Sequence, residues 1–195
     1  MRRMNFRTLL CMCLLSLPIL VNAQQKLSPN ESKVMVNGTS TLHDWRCKVE
    51  QLSGNLDVEK SGTTIKSIKL MDVTMIVKSM KSLKEDGKYY DSGMDKNVYK
   101  ALDADKNPQI TFVLKKINSI GANGEVNAIA TVKIAGVAKD LPVVGVAKVL
   151  PNGSVKITGK KAFKMTDFKV DPPKAMLGAI KTGDDITVDF DLLFK

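Results

Sequence analysis

The residue types able to do chemistry crowd into one short stretch, GTSTLHDW at residues 38–45. It holds the chain's only histidine, His43, beside Asp44 and the only tryptophan, Trp45. A hydroxyl, an imidazole and a carboxylate are the parts of a hydrolytic triad, so Ser40, His43 and Asp44 must be weighed as nucleophile, base and orienter. Their closeness in sequence argues against that role. Neighbouring side chains of an extended segment point to opposite faces, so His43 and Asp44 diverge. No G-x-S-x-G elbow occurs elsewhere in the chain. A metal centre needs several converging ligands, and one histidine with Cys47 is a poor start. The acidic pairs Asp184-Asp185 and Asp189-Asp191 read as turn and solvent-face residues. GANGEVNA (121–128) and PNGS (151–154) read as hairpin turns rather than phosphate cradles, because no helix follows them. GTSTLHDW is best explained as structure: Gly38 permits a bend, the threonine and serine hydroxyls satisfy backbone groups, and Trp45 anchors the next strand in the core. The functional alternative is a contact from His43 or Trp45 to the polar head of a ligand. No cofactor, metal or catalytic residue is called for.

What must position these residues is a domain that begins after the first 23. Arg2, Arg3 and Arg7, an apolar run from Leu9 to Val21 and the small residues of VNA predict a secretory signal peptide cleaved after Ala23. Cys11 and Cys13 fall inside that run. No later stretch is apolar enough to span a bilayer. A periplasmic or secreted protein is expected, with a mature chain of 172 residues, one domain and a net charge of +7. Its single remaining cysteine, Cys47, excludes an internal disulfide and reads as a buried, inert thiol. Arg46 is the only mature arginine. Nucleic acid readers rely on arginine forks and stacked aromatics, so that class of partner is excluded. The scattered lysines suit a solvated exterior and leave room for a weak attraction to an anionic membrane surface. The oligomeric state stays open, a dimer included.

Residues 24–33 are polar, carry Pro29 and read as a flexible lead-in. From 34 to the C-terminus the pattern is strand after strand, with Gly54 expected as a bend or a bulge. Only residues 92–105 break the period: Met94, Val98, Ala101 and Leu102 recur at helical spacing, and Asp95 sits early, where a helix start favours an acid. The helix should end before Asn107-Pro108 and lie over the sheet with its narrow apolar stripe. The expected fold is all-β: a single extended antiparallel barrel of about eight strands with one short α-helix packed on it. Strand alternation names the inward residues. Trp45 and Met75 come from the first half of the chain, and Phe112 and Leu114 from the strand after the helix. Ala128, Ala130 and Val132 follow on the next strand, then Ile157 and Phe163, and finally Val188 and Phe190. Small side chains at 126–130, 145 and 147 are compatible with an interior that has room for a slender apolar ligand, and equally with an ordinary packed core.

NGTSTLHDW, followed by MDKNVYKALDADKNPQITFVL at 94–114, resembles the YceI-like family of exported bacterial proteins. The second stretch carries the more specific feature, a short helix leading through Pro108, Gln109, Ile110, Thr111 and Phe112 into a strand. The resemblance covers essentially the whole mature chain. Where family members more often pair the N-terminal histidine with serine, this chain has Asp44. The resemblance implies an extended, lipocalin-like antiparallel barrel and a carrier without chemistry of its own, binding a polyisoprenoid or isoprenoid-tailed quinone with its chain inside the barrel. It supplies no catalytic residue. Two other readings have distinct requirements: a filled barrel acting through its lysine-rich exterior or the 81–93 loop, and an enzyme working through His43, which needs a polar partner for that side chain in the cavity.

Overall fold

A computed structural model describes residues 24–90 and 92–195. The expected signal peptide, with Cys11 and Cys13, lies outside the described residues. The strands are β1 (Gln25–Lys26), β2 (Lys33–Ser40), β3 (Trp45–Val49), β4 (Leu52–Ser61), β5 (Thr64–Ile76) and β6 (Met80–Leu83), before helix α1 (Ser92–Ala101). Then come β7 (Gln109–Ile120), β8 (Glu125–Ile134), β9 (Val137–Val149), β10 (Val155–Lys164), β11 (Lys174–Ala175) and β12 (Ile180–Phe194). One antiparallel sheet runs β1-β4-β5-β7-β8-β9-β10-β12-β2-β3-β6, with β11 paired to β12 beside it. The sheet curls round on itself, as the strand-rich pattern predicts.

That path has eleven strands among the described residues, not the eight expected. The excess arises because long strands are cut at bends. Val49 pairs with Met80 and Leu52 with Met75, so β3 and β4 continue one another against β6 and β5. The bend is stitched by backbone groups. Glu50 N–H donates to Ser79 O (3.2 Å), Gln51 N–H to Ser79 Oγ (3.0 Å) and Ile76 N–H to Gln51 O (3.1 Å). Gly54, expected as a bend or a bulge, instead lies in regular register within β4 opposite Val73, where its missing side chain lets the Asp72 carbonyl approach closely.

The segment 24–33 is tied down rather than free. Lys26 and Lys195 exchange backbone hydrogen bonds (2.8 and 2.9 Å), Leu27 N–H reaches Gly54 O (2.9 Å) and Ser28 N–H reaches Leu193 O (2.7 Å). Leu27 is buried for this reason: at 27 the chain slots between β4 and the end of β12. Leu56, Val155 and Phe194 join it in the core cluster and have no exposed surface. This end of the barrel is closed.

The opposite end is covered by α1. The helix is shorter than the 92–105 expected, ending at Ala101 and giving way to turns around Asp103, whose φ is +47°. Asp95 does more than favour the helix start. Buried, it accepts a hydrogen bond from Ser82 N–H on β6 (2.8 Å) and pairs with Lys81 (3.0 Å), while Tyr99 Oη donates toward the Lys78 and Met80 carbonyls (2.8 and 2.9 Å). These bonds dock the helix on the edge of β6 away from β3.

The exterior lysines are organised as cross-strand pairs: Lys156–Asp191 (2.9 Å), Lys160–Asp189 (3.0 Å), Lys164–Asp185 (3.0 Å), Lys69–Glu59 (2.6 Å) and Lys115–Asp140. Exposed pairs of this kind contribute little each, but they set the acid limit of stability. Lys69 and Lys115 hold the Glu59 and Asp140 carboxyls below their ordinary range, as Tyr89 does Glu50 and Thr166 does Asp184. A carboxylate that ionises more readily when folded adds stability that is present above its unfolded pKa. That stability is lost as pH falls through the folded pKa. Thermal melts should therefore be flat between about pH 5 and 8 and fall below about pH 4. Added salt should blunt the fall. A melting temperature that rises on acidification would contradict this.

Candidate functional site

The barrel wall alternates, and its inner face encloses a cavity of about 390 Å³. Trp45 on β3, Met75 on β5, Phe112 on β7, Ala128 and Val132 on β8, Ile157 and Phe163 on β10, and Val188 and Phe190 on β12 all line it. His43 reaches the same surface. Leu114 and Ala130 do not. They face one another across β7 and β8, and the fully buried Ala130 under a half-buried Leu114 matches a small side chain to a large one, so the wall is filled there.

Further lining groups come from elements whose inward face the sequence pattern marks less clearly. β2 adds Val34 and Val36, in phase with Cys47 and Trp45 across the sheet, and α1 adds Met94, Val98 and Ala101. The helical stripe is thus explained: it roofs the cavity. Gly159 and Gly145 face each other on β10 and β9, and the Phe190 ring rests on them; a Cβ at Gly159 would lie 2.5 Å from the ring. Past this pair the two strands part, since β9–β10 pairing runs only from Val149/Val155 to Gly145/Gly159. The turn at Met165–Phe168 comes at the far end of the parting, where Asp167 pairs with Lys139 of β9 (3.9 Å), and its Phe168 is buried and packed edge-on to Phe163 (centroids 5.2 Å apart, 69°). Two residues beyond Gly159, on the same face, Lys161 also lines the cavity.

The geometry of GTSTLHDW is that of a structural turn. Ser40 Oγ donates to His43 O (2.8 Å) and accepts from the N–H groups of Leu42 and His43 (3.2 Å each). Trp45 lies flat over Gly38, where a Cβ would be 2.3 Å from the indole, and its Nε1 donates to Thr39 O (3.0 Å). His43 Nδ1 meets the Asp44 backbone oxygen at 2.6 Å, not a carboxylate. The arrangement holds Trp45 against the cavity rather than aligning a base with a nucleophile. Cys47 is buried, 3.6 Å from Ser82 Oγ, and burial pushes its thiol up to about 11, so it stays protonated at neutral pH. Among the described residues, no three histidine, cysteine or carboxylate groups converge as a metal site.

The family model of the YceI-like domain matches residues 25–194. No curated protein matches the chain. Solved structures do. Burkholderia cenocepacia BcnA superposes with a TM-score of 0.69 at 19% identity, covering 86% of this chain and 98% of that one. A polyisoprenoid binding domain from Saccharophagus degradans, implicated in plant cell wall breakdown, gives 0.66 at 13% identity, covering 89% and 98%. The Campylobacter jejuni YceI protein gives 0.59 at 21% identity, covering 75% and 82%. At these identities the likeness is one of fold.

Proposed function

The chain belongs to the YceI-like family, and from that premise we propose that it is an exported, non-catalytic carrier of one long apolar molecule, a polyisoprenoid or isoprenoid quinone-type lipid. The observation that carries this reading is the cavity itself: about 390 Å³, within the size range of small-molecule sites, and walled by aliphatic and aromatic side chains from nearly every strand. The S. degradans neighbour, a polyisoprenoid binding domain of the same fold, supports the ligand class. An isoprenoid chain needs little else, since each methylene removed from water contributes about 0.8 kcal/mol. Export rests on the first 23 residues. Trp45, the only tryptophan, lines the cavity and reports on it. Titration with a C50 polyprenol should blue-shift or quench its fluorescence saturably, at one ligand per chain. Emission unchanged through saturating polyprenol would count against the carrier reading.

The cavity lining reaches Leu42, Pro173, Lys174 and Ile180 beside the β11–β12 hairpin, and that rim suits loading from a lipid surface. At the tip of the β11–β12 hairpin, Met176 and Leu177 both adopt positive φ (51° and 56°), an unfavourable conformation for such residues. Their side chains stand in solvent, Met176 at 74% exposure and Leu177 completely. Leu42 (65%) stands beside them, because Thr41 N–H bonds Lys181 O (3.0 Å) and Lys181 N–H bonds Thr41 Oγ1 (3.1 Å). Lys174 and Lys181 lie directly opposite in register behind the tip, a like-charged pair that an anionic surface would relieve. The protein should therefore sediment with vesicles containing phosphatidylglycerol and less with purely zwitterionic ones. Leu177→Asp should weaken that association several-fold with melting unchanged. Equal sedimentation by the variant would remove the membrane contact; self-association lost in the variant would reassign the tip to a protein interface.

A further inference from the structure

Lys161 is out of place. Ile157, Gly159, Lys161 and Phe163 share the inner face of β10, and the lysine lies among apolar neighbours, opposite Val188 on β12. Its outward neighbours Lys156, Lys160 and Lys164 are all paired with aspartates of β12. Lys161, half-buried, makes no ion pair or side-chain hydrogen bond with any described residue. Among the described residues, no aspartate or glutamate lines the cavity. The other cations at its surface are Arg46, engaged with the Glu85 carbonyl (2.7 Å), and Lys174 at the rim. An ammonium drawn partly out of water without a counter-charge is costly. The site gives it room: beyond Gly145 and Gly159 the strands part, and the exposed Val144 borders the same cavity surface. The long lysine stem can lie along apolar wall while its charge sits at the parting.

We propose that Lys161 receives the head group of the cargo, and that the cargo is an anionic amphiphile: a long apolar chain ending in a phosphate or a carboxylate. This rests on the carrier reading and narrows it. The tail fills the cavity, and the anion pairs with the Lys161 Nζ at the gap between β9 and β10. A charge-assisted hydrogen bond to this half-buried ammonium corresponds to about tenfold in affinity.

The test uses matched probes: farnesyl monophosphate against farnesol, and oleate against oleyl alcohol. The wild-type protein should bind the charged member of at least one pair about tenfold more tightly. Preference in the first pair alone identifies phosphate, in the second alone carboxylate. Lys161→Met should reduce the preference to within about twofold and leave the alcohols' affinity unchanged, while Lys161→Arg keeps it. Lys160→Met, which alters an outward lysine paired with Asp189, should keep it too. Should Lys161→Met not fold, Lys161→Gln takes its place, and the wild-type comparison stands without either. Alcohols that bind as well as their charged partners, or a preference that survives Lys161→Met, would overturn the assignment and leave the carrier reading intact. Failure of all four probes to bind would overturn both.

Discussion

Replacing Ala128 with tryptophan is expected to give a folded protein that no longer takes up a polyprenol. Ala128 is buried on the inner face of β8, between Ile117 on β7 and Val143 on β9, and opens directly onto the cavity. An indole placed there projects into the space that would hold the chain. Excluding four methylenes costs about 3 kcal/mol of binding, or roughly a hundredfold in affinity. Inserting a large side chain into a packed core costs about 1–3 kcal/mol of stability, but here part of its volume enters empty space. Melting should fall by only a few degrees while the Trp45 response to polyprenol is lost; the added indole makes displacement of a labelled polyprenol the better readout. Unaltered affinity in a folded Ala128→Trp protein would show that ligands bind elsewhere.

Phe194→Ala should be the most damaging single substitution for stability. The residue is next to last in the chain, where a reader would expect tolerance, yet it is wholly buried. It pairs with Val155 on β10 and bridges to Leu27, and the flanking Lys195 closes the backbone ladder to Lys26. Truncating a buried phenylalanine costs about 3–5 kcal/mol. For a domain of this size that corresponds to a drop in melting temperature of roughly 6–20 °C. Leu177→Asp, at a fully exposed position, should by contrast move it by little. A drop of under about 2 °C for Phe194→Ala would mean that the closed end of the barrel is not where the molecule is held together.

Much of this architecture is legible in the alternation of the strands. Phe112, Val132, Ile157, Phe163, Val188 and Phe190 face inward because a period of two leaves them no other face. Met94, Val98 and Ala101 mark the roof helix through their helical spacing. What escaped the pattern has identifiable causes. The bend between β3 and β4 falls at Glu50-Gln51, with neither glycine nor proline to announce it. It is made by Ser79, nearly thirty residues away. Gly54 carries the signature of a bend or a bulge, because a strand glycine often is one, whereas here the close Asp72 carbonyl requires it. Leu114 and Ala130 have the right parity for the lining, but parity does not say where a large side chain fills the space beside a small one. Residues 24–33 read as polar lead-in because one apolar residue, Leu27, carries their docking. Asp95 announced a helix start but not the β6 backbone group it accepts from. Alternation does not mark Lys161 as lining, because it sorts residues by polarity and an inward lysine violates the rule by which the inside is recognised.

The most direct measurement is native mass spectrometry of the mature protein, purified gently from its own host, with organic extraction of whatever accompanies it. A long-chain isoprenoid or quinone bound one to one and released on denaturation is the predicted result. A bare protein mass, with no uptake of added polyprenols or their phosphates, would contradict a carrier and return the lysine-rich exterior as the working surface.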